Sequence, residues 1–334
     1  MAMADDKERG EEHYLDAVEA LEGNDRDGAI SSANKACECD PQNAEAWWLV
    51  SRLELPEKTA PSLKQVARSL RACRKVIEIE PEHDQAWRQG ARLQEEIGLY
   101  EDALEWWNQR RIIDPSDTEA VIEQTALLVD LGYYDEAMDL LQVIFENDLD
   151  LIPSQMSRLA RLHQLVQKAT QQGRLTHFRP WDKRDPGWEA IRMRSNKGPV
   201  SETYLFLLMV VPFLVLEVWL SQGLNKAGWM GFCFSSCTIL LTVILGIRFT
   251  KSLFHKVNRP AFNMIRAMDT ETTSGSKVIA PELRLGRLYM SILGRRPKAY
   301  QERLISIIES GDDLPKGWKP TLPDFEMALP EEEE

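Results

Sequence analysis

The side chains in this sequence that could do catalytic chemistry are few and far apart. The five histidines are spread over the whole length: His13, His83, His163, His177 and His255. None of them has a cysteine or carboxylate at the spacing of a metal site, and the Cys-x-Cys pair at 37 and 39 has no further ligand nearby. The sequence contains no phosphate-binding loop, nucleophile elbow or zinc-protease helix motif. We therefore predict no enzymatic activity, no metal site and no cofactor.

Two arginines have the spacing of a binding site rather than of a catalytic one. Arg88 and Arg92 are four residues apart, so in a helix they lie on the same face. Together they could bind a carboxylate through forked hydrogen bonds. The alternative is a solvated helix face on which these arginines balance nearby acidic residues.

One carboxyl group lies inside an apolar stretch. The segments 203–221 and 229–249 each contain roughly 20 mostly apolar residues, enough to cross a hydrocarbon core of about 30 Å as a helix. The sequence therefore predicts a transmembrane helical hairpin over 201–250, with a kink at Pro212. Glu217, near the outer end of the first span, is either a functional intramembrane acid or a side chain that reaches the interface.

Basic residues flank the predicted hairpin on both of its outer sides, whereas the turn between the spans holds only Lys226. Since positive residues stay on the cytoplasmic side, we expect two spans with both termini in the cytoplasm. High acidity and targeting by the hairpin itself favour a prokaryotic cytoplasmic membrane, with organelle membranes as the alternative.

A recurring frame organises the first half of the chain. Three segments share the order acid, Pro, polar residues, Ala, then an aromatic or aliphatic residue: 39–49, 79–89 and 113–123. Pro81 and Pro115 are 34 residues apart, whereas Pro41 and Pro81 are 40 apart because an extended loop at 54–62 is inserted. Self-similarity at this period indicates an array of helical hairpins.

A second element, Gly-x-Tyr-x-x-Ala, begins the segments 98–107 and 132–141, and a looser copy lies at 23–31. Together the two elements resemble the tetratricopeptide repeat (TPR) family over residues 10–151. The copy at 84–117 carries the residues that match the family pattern: Trp87, Ala91, Gly98, Tyr100, Ala103, Trp107 and Pro115. The resemblance implies a helical solenoid, which the amphipathic helix predicted at 153–173 would cap.

The resemblance also implies where a partner would bind, because in this family the first helix of each unit lines a concave groove. The corresponding positions in this sequence are Trp48, Arg52, Arg88, Gln89, Arg92, Ile122 and Glu123. The family members that hold chaperone C-termini use a Lys/Asn clamp. The clamp positions here carry neither residue, so that partner is not expected.

The second half of the chain predicts shorter elements. In the linker, Trp181, Trp188 and Ile191 form either a belt at headgroup level or part of a plain solvated segment. The second span is expected to continue past Phe249 and to end at a flexible break over 269–277. Two short helices are then predicted, 280–294 and 296–311. They would lie on the membrane surface or dock on the repeat array, which has the opposite charge.

The predicted fold class is therefore all-α: a TPR-like helical solenoid, a two-helix transmembrane hairpin and a short helical C-terminal tail. The predicted segments are a disordered N-terminus (1–9), the repeat array with its capping helix (10–173), a basic juxtamembrane linker (174–200), the hairpin (201–250), a cytoplasmic helical tail (251–311) and a disordered acidic tail (312–334).

Charge separates the two halves of the chain. Residues 1–150 hold 35 acidic and 15 basic residues, whereas 151–334 hold 18 and 25. The acidic half argues against nucleic acid as a partner, and the basic half suits anionic lipid headgroups. We expect a membrane-anchored adaptor or scaffold that holds a protein or peptide partner at the membrane, for example during the assembly of a membrane complex. The alternatives are an accessory subunit of a transporter, secretion or respiratory complex working through its hairpin, and a lipid-responsive regulator working through the basic tail helices.

Overall fold

The computed structural model describes residues 2–146, 151–170, 178–224, 228–323 and 325. Within these ranges the regular structure is helical and no strand is present. Nine helices come first: α1 (Ala2–Glu22), α2 (Arg26–Cys39), α3 (Ala44–Leu53), α4 (Leu63–Ile79), α5 (Asp84–Glu96), α6 (Tyr100–Ile113), α7 (Thr118–Leu131), α8 (Tyr134–Glu146) and α9 (Pro153–Thr170). Seven follow: α10 (Gly187–Arg194), α11 (Glu202–Met209), α12 (Val211–Leu224), α13 (Trp229–Ser274), α14 (Pro281–Arg284), α15 (Arg287–Leu293) and α16 (Lys298–Ser310).

The chain divides into two compact units. The first unit contains Met1–His177, Met268–Val278 and Arg296–Glu334, and the second contains Phe178–Ala267 and Ile279–Arg295. The chain therefore leaves the first unit close to the predicted boundary and later returns to it, because two C-terminal segments also belong to the first unit.

In the first unit, each helix from α1 to α9 packs against the next one along the chain. Small residues allow this close approach: Ala29, Ala33, Ala103 and Ala137 are fully buried where consecutive helices meet. The aromatic side chains of Trp87, Trp106 and Trp107 fill the larger spaces of the same core.

The three copies of the recurring frame have the same local structure. In each, the second residue after the proline caps the following helix through its side chain: Asn43 for α3, His83 for α5 and Asp117 for α7. In every copy the alanine three residues after the cap is fully buried. The indole N–H groups of Trp47 and Trp87 donate to the backbone carbonyls of Pro41 and Pro81. The frame therefore marks the start of a helix. The capping residue and the buried alanine occupy the same positions in each copy.

The second element is a tight turn between helices. Gly98 and Gly132 follow α5 and α7 with φ of 77° and 80°, a left-handed conformation that favours glycine. In the looser copy the left-handed residue is Asn24, with φ of 59°. In all three copies a fully buried alanine follows five residues later, so Asn24 rather than Gly23 corresponds to the two glycines.

The N-terminal helix starts earlier than the sequence predicted. α1 begins at Ala2 and includes most of the stretch 1–9, for which disorder was expected. Further along, Gly10 packs closely, since a Cβ there would lie 3.0 Å from that of Asp40.

The C-terminal helix α16 packs on the first unit. It contacts α4, and Ala299 belongs to the core that helices of the first unit share. The Glu302 carboxylate accepts from the backbone N–H of Leu63 at 2.7 Å, at the start of α4. Of the two locations left open for the segment 296–311, the structure thus shows packing on α4 of the first unit.

Further C-terminal residues also contact this unit. Thr321 donates its backbone N–H to Glu101, and the side chains of Leu322 and Phe325 pack against the shared core. These three residues fall within the stretch 312–334, for which disorder was expected. Position 324 and positions 326–334 of that stretch lie outside the described residues.

The second unit contains the two apolar segments. α11 and α12 together, and α13, are long and apolar enough to cross a membrane. Only 11% of the residues in the most apolar window of each are buried, which is not what the core helix of a soluble domain shows. The helix is interrupted at Val210, next to Pro212, whose missing N–H and bulky ring disfavour a continuous helix.

Three details of the second half differ from expectation. α13 continues past Phe249 as predicted, but it ends at Ser274 and the break is at Gly275, with φ of 67°. The helix predicted over 280–294 is split into α14 and α15, because Gly286 has an extended backbone. A Cβ at this position would lie 2.6 Å from the carbonyl oxygen of Ser195. Trp188 and Ile191 of α10 are buried in the protein, so they do not form an exposed aromatic belt.

Candidate functional site

The first unit contains a cleft of about 570 Å³, a volume typical of ligand sites. It lies between α3, the loop before α4, and α5. Its lining residues are Trp48, Leu55, Pro56, Thr59, Pro61, Gln85, Arg88, Gln89, Arg92, Leu93 and Glu96. Four of the seven predicted groove residues are among them, and the inserted loop at 54–62 supplies one wall.

One side of the cleft is apolar. The Trp48 ring lies 5.0 Å from the His83 ring, centroid to centroid, which holds the indole against the start of α5. Leu55, Pro56 and Pro61 of the inserted loop complete this wall. Prolines fix the backbone of the loop, so the wall is formed before any ligand arrives.

The other side carries the two arginines. Arg88 and Arg92 follow each other by one turn on α5, and both side chains are exposed. The Arg88 guanidinium pairs with the Glu119 carboxylate of α7 at 2.8 Å. This pair orients Arg88 while its exposed edge still leaves N–H groups for a further acceptor, because a guanidinium has five donors.

Gln89 has a structural role at the floor of the cleft. Its amide nitrogen donates to the Ser51 hydroxyl at 2.8 Å and to the Ser69 hydroxyl at 3.1 Å. It thereby joins α5 to α3 and α4. A ligand would have to break these bonds to use the same N–H groups, so Gln89 positions the arginines rather than binding.

The remaining predicted groove residues do not line this cleft. Arg52 is exposed elsewhere on α3. Ile122 is 1% exposed and belongs to the core, so it does not face a partner. Glu123 forms a bidentate ion pair with Arg158 of α9, with its second contact at 2.6 Å. Both residues lie on α7, where Ile122 faces the core and Glu123 is paired with a residue of α9.

An acidic cluster borders the two arginines. Burial, and then the nearby carboxylates of Glu123 and Asp130, raise the pKa of Glu95 to about 7. Arg158 and Arg92 oppose this shift only in part. The charge on this part of α5 therefore changes near neutral pH.

The polar site predicted in the apolar segments lies in the second unit. One carboxyl oxygen of Glu217, Oε2, is buried and has no hydrogen-bond partner among the described residues. The small residues predicted on the second apolar helix do allow close packing there. A Cβ at Gly246 would lie 2.7 Å from the Val210 side chain, so glycine is required at that approach.

The most elaborate polar cluster was missed by sequence reasoning. Asp269 Oδ1 accepts from Arg296 at 2.6 Å, from the Tyr300 hydroxyl at 2.8 Å and from the Tyr100 hydroxyl at 3.4 Å. Burial, and then the Asp269 carboxylate, raise the pKa of Tyr100, so this phenol stays protonated and donates. The cluster ties two distant C-terminal segments to α6. No local pattern in the sequence signals it, because the partners are separated by up to 200 positions.

A second missed feature is a pair of adjacent buried arginines on α6. Arg110 donates to Asp117 at 2.8 Å and to Asp84 at 2.5 Å, so it joins the starts of α5 and α7. Arg111 donates to Gln124 at 2.9 Å, and no ion pair of Arg111 exists in the part of the chain described. Burial lowers the pKa of Arg111 to about 10.

Within the described ranges, no group of three or more His, Cys, Asp or Glu residues could hold a metal ion. The cleft is lined by apolar side chains together with Arg88, Arg92 and Glu96. Compared with known proteins, the chain matches no protein-family model and is similar to no curated protein at a significant level.

Proposed function

We propose that this protein is a membrane-anchored adaptor whose helical first unit binds a protein partner through a short acidic and apolar peptide segment. The observation that carries the proposal is the cleft itself, where Trp48 and the loop prolines face Arg88 and Arg92. Such a site offers an apolar side chain a preformed wall and offers a carboxylate two guanidinium groups. Its volume of about 570 Å³ accommodates a few residues of extended chain.

We further propose that the first unit is a TPR-like repeat array. The support is local: the same cap position, the same buried alanine and the same left-handed turn recur at the expected positions. Consecutive packing of α1 to α9 agrees with this. In such an array the cleft lies between the first helices of two successive units, where this family binds peptides.

The membrane anchor is proposed to be a hairpin of the two apolar helices. Their length and their exposed apolar surface support it. The basic residues on the outer flanks support cytoplasmic termini, in a prokaryotic cytoplasmic membrane. Partner binding would then take place in the cytoplasm next to the bilayer, as the assembly of a membrane complex requires.

A peptide titration on the full-length protein tests the proposed binding. Fluorescein-labelled hexapeptides that combine aspartate or glutamate with aliphatic residues are compared with the matching asparagine and glutamine set by fluorescence anisotropy. We expect the acidic set to bind about 10-fold or more tightly, since charge-assisted hydrogen bonds are about twice as strong as neutral ones. Arg88→Gln together with Arg92→Gln should remove the difference.

The matched control is Arg71→Gln together with Arg74→Gln. Both of these arginines are exposed on α4 and neither lines the cleft. This double variant has the same net charge as the cleft variant and should bind the acidic peptides like the wild type. Equal binding of acidic and amide peptides by the wild type would contradict the proposal.

One observation favours a second function, that of an integral subunit working through the apolar helices. Among the described residues, Glu217 Oε2 has no hydrogen-bond donor, and an ionisable group held in an apolar helix is a candidate for a contact with another transmembrane protein. Glu217→Gln, assayed by co-purification of membrane partners, distinguishes the two. Under the adaptor function the variant retains its partners, and under the subunit function it loses them.

A further inference from the structure

The second unit carries exposed apolar side chains outside its two apolar helices. Leu285 is 87% exposed, Met193 is 75% exposed and Met290 is 58% exposed. Large apolar side chains this exposed leave most of their surface in contact with whatever surrounds the protein. Their positions in the fold bring them onto one surface.

Backbone contacts bring together the two segments that carry these side chains. The N–H of Leu288 donates to the carbonyl of Ser195 at 2.9 Å, and Gly286 packs against that same carbonyl. Three residues later, Gly198 lies next to the side chain of Ser291. The segments 192–198 and 285–291 therefore run side by side, so that Met193 and Leu285 flank one contact and Met290 adjoins the next.

The first of these two segments, 192–198, leads directly into the first apolar helix. Asn258 accepts from the N–H of Val200 and donates to its carbonyl, both at 2.9 Å. Ser201 then caps α11 by accepting from the N–H of Tyr204. Met193 thus lies within the few residues that precede α11, and the segment 285–291, which carries Leu285 and Met290, runs beside those residues.

Basic side chains accompany the apolar ones. Arg192, Lys197 and Arg287 are exposed on the same two segments, and Arg192 is 3.9 Å from Glu189. The whole second unit has 15 basic and 6 acidic residues, a net charge of +9. The first unit, with 25 basic and 47 acidic residues, has −22. Positive charge is therefore concentrated in the unit that holds the apolar helices.

We propose that these six residues form a juxtamembrane surface that binds anionic phospholipid. The surface is defined by Arg192, Met193, Lys197, Leu285, Arg287 and Met290. The three apolar side chains enter the interface below the headgroups, and the three basic side chains contact lipid phosphates. The inference rests on the proposed membrane anchoring and adds to it a lipid preference and a definite surface.

Hydrogen exchange on the full-length protein in nanodiscs tests this surface. Exchange is measured for peptides covering 192–198 and 285–291, in neutral phosphatidylcholine and with 30% phosphatidylglycerol added. We expect exchange to slow about threefold or more with the anionic lipid, because each basic residue near such a surface strengthens binding about fivefold. Added salt should reverse the slowing in part.

Two double variants separate the apolar and the basic contributions. Met193→Ser with Leu285→Ser, and Arg192→Gln with Arg287→Gln, should each lose most of the lipid-dependent slowing. All four side chains are exposed, so the fold tolerates these changes, and circular dichroism checks it. Leu15→Ser is the control, since Leu15 is exposed on α1 in the first unit.

Extraction of native membranes at alkaline pH separates failure of this inference from failure of the anchoring. A chain that alkaline buffer releases is not membrane-spanning, which overturns both proposals. A chain that stays in the membrane but shows equal exchange in the two lipid mixtures overturns only the juxtamembrane surface. Slowing that appears only when other membrane proteins are present indicates a protein partner instead, and also overturns it.

Discussion

The two units use apolar side chains in opposite ways. The first buries them between consecutive helices, with alanines at the close approaches and tryptophans in the larger spaces. The second leaves them exposed, since only 11% of each apolar window is buried. The charges differ in the same sense, −22 against +9. The first unit therefore buries most of its large apolar side chains within itself, whereas the second leaves those of its two long apolar helices exposed.

A consequence is that stability has different sources in the two units. In the first, buried polar pairs select one arrangement of an otherwise regular helical core. Variants of these pairs should change the unfolding of the first unit and leave membrane extraction unaltered. Hydrogen exchange of the full-length protein measures the free energy of opening for each unit separately, which a single melting curve does not.

The largest effect is expected from Asp269→Asn. The change removes the carboxylate that Arg296, Tyr300 and Tyr100 share, and leaves a buried guanidinium without its counter-ion. We expect a loss of about 3–5 kcal/mol in the stability of the docked α16, as for other broken buried pairs. Exchange of α16 peptides measures it.

A double-mutant cycle sharpens this result. Asp269→Asn combined with Arg296→Gln should cost less than the two single changes added together, because the unpaired charge is gone. Unchanged exchange of α16 in the single variant would show that apolar contacts such as that of Ala299 hold the helix without the ion pair.

The adjacent arginines of α6 provide the next test. Arg110 is 4% exposed and bonded to the carboxylates of Asp84 and Asp117, so Arg110→Met should cost about 2–4 kcal/mol. Arg111 is 1% exposed and bonded to an amide, so Arg111→Met should change stability by less than about 1 kcal/mol. Exchange of α5 to α7 peptides compares the two. Equal costs would refute the assignment of Arg110 as the ionic link between successive frames.

A pair of glycines tests how tightly the C-terminal segments are docked. Gly98 and Gly275 both have left-handed backbones, so alanine strains each by about 1–2 kcal/mol. A Cβ at Gly98 would also lie 2.3 Å from the Thr272 hydroxyl, whereas nothing lies within 4 Å of one at Gly275. Gly98→Ala should therefore cost about 1–3 kcal/mol more, by overpacking. Similar thermal shifts for both variants would mean that Thr272 can move to accommodate the added methyl group at little cost.

Local patterns predicted the helices well and their distant partners poorly. The frame around Pro81 and the turn at Gly98 predicted where helices start and end. Such signals are readable because helix caps and left-handed turn positions depend only on neighbouring residues. The all-helical class and two helices able to span a membrane were predicted correctly. The break expected at 269 was wrong, since Thr272 and Glu271 are buried helical residues that polar composition alone made look like a loop.

The candidate site shows the same limit. Arg88 and Arg92 were assigned to the groove because helix periodicity places them on one face of α5, and Trp48 because the family resemblance assigns α3 to the groove; all three line the cleft. Ile122 was assigned to the same groove, but its rotation toward the core depends on how α7 packs. The Asp269 cluster joins residues up to 200 positions apart, and a single sequence carries no signal for such a pairing.

The smallest effect is a pH dependence in the first unit. The pKa of Glu95, about 7 in the folded chain, lies above the unfolded value of about 4.3. Glu95 therefore binds its proton more tightly in the folded state than in the unfolded state. The stability that the protonated carboxyl adds is fully present below about pH 4.3 and is lost as the pH rises through 7. Glu95→Gln keeps the neutral form, so it should stabilise the unit by about 1–2 kcal/mol at pH 8, after allowance for solvent screening, and by less at pH 5. Exchange of α5 peptides at the two pH values measures this difference.

Glu105→Gln, which removes an exposed carboxylate of α6, controls for the change in net charge. A gain at pH 8 no larger than that of Glu105→Gln would show that Arg92 and Arg158 already neutralise Glu95, and the cleft border would then carry a fixed charge across neutral pH.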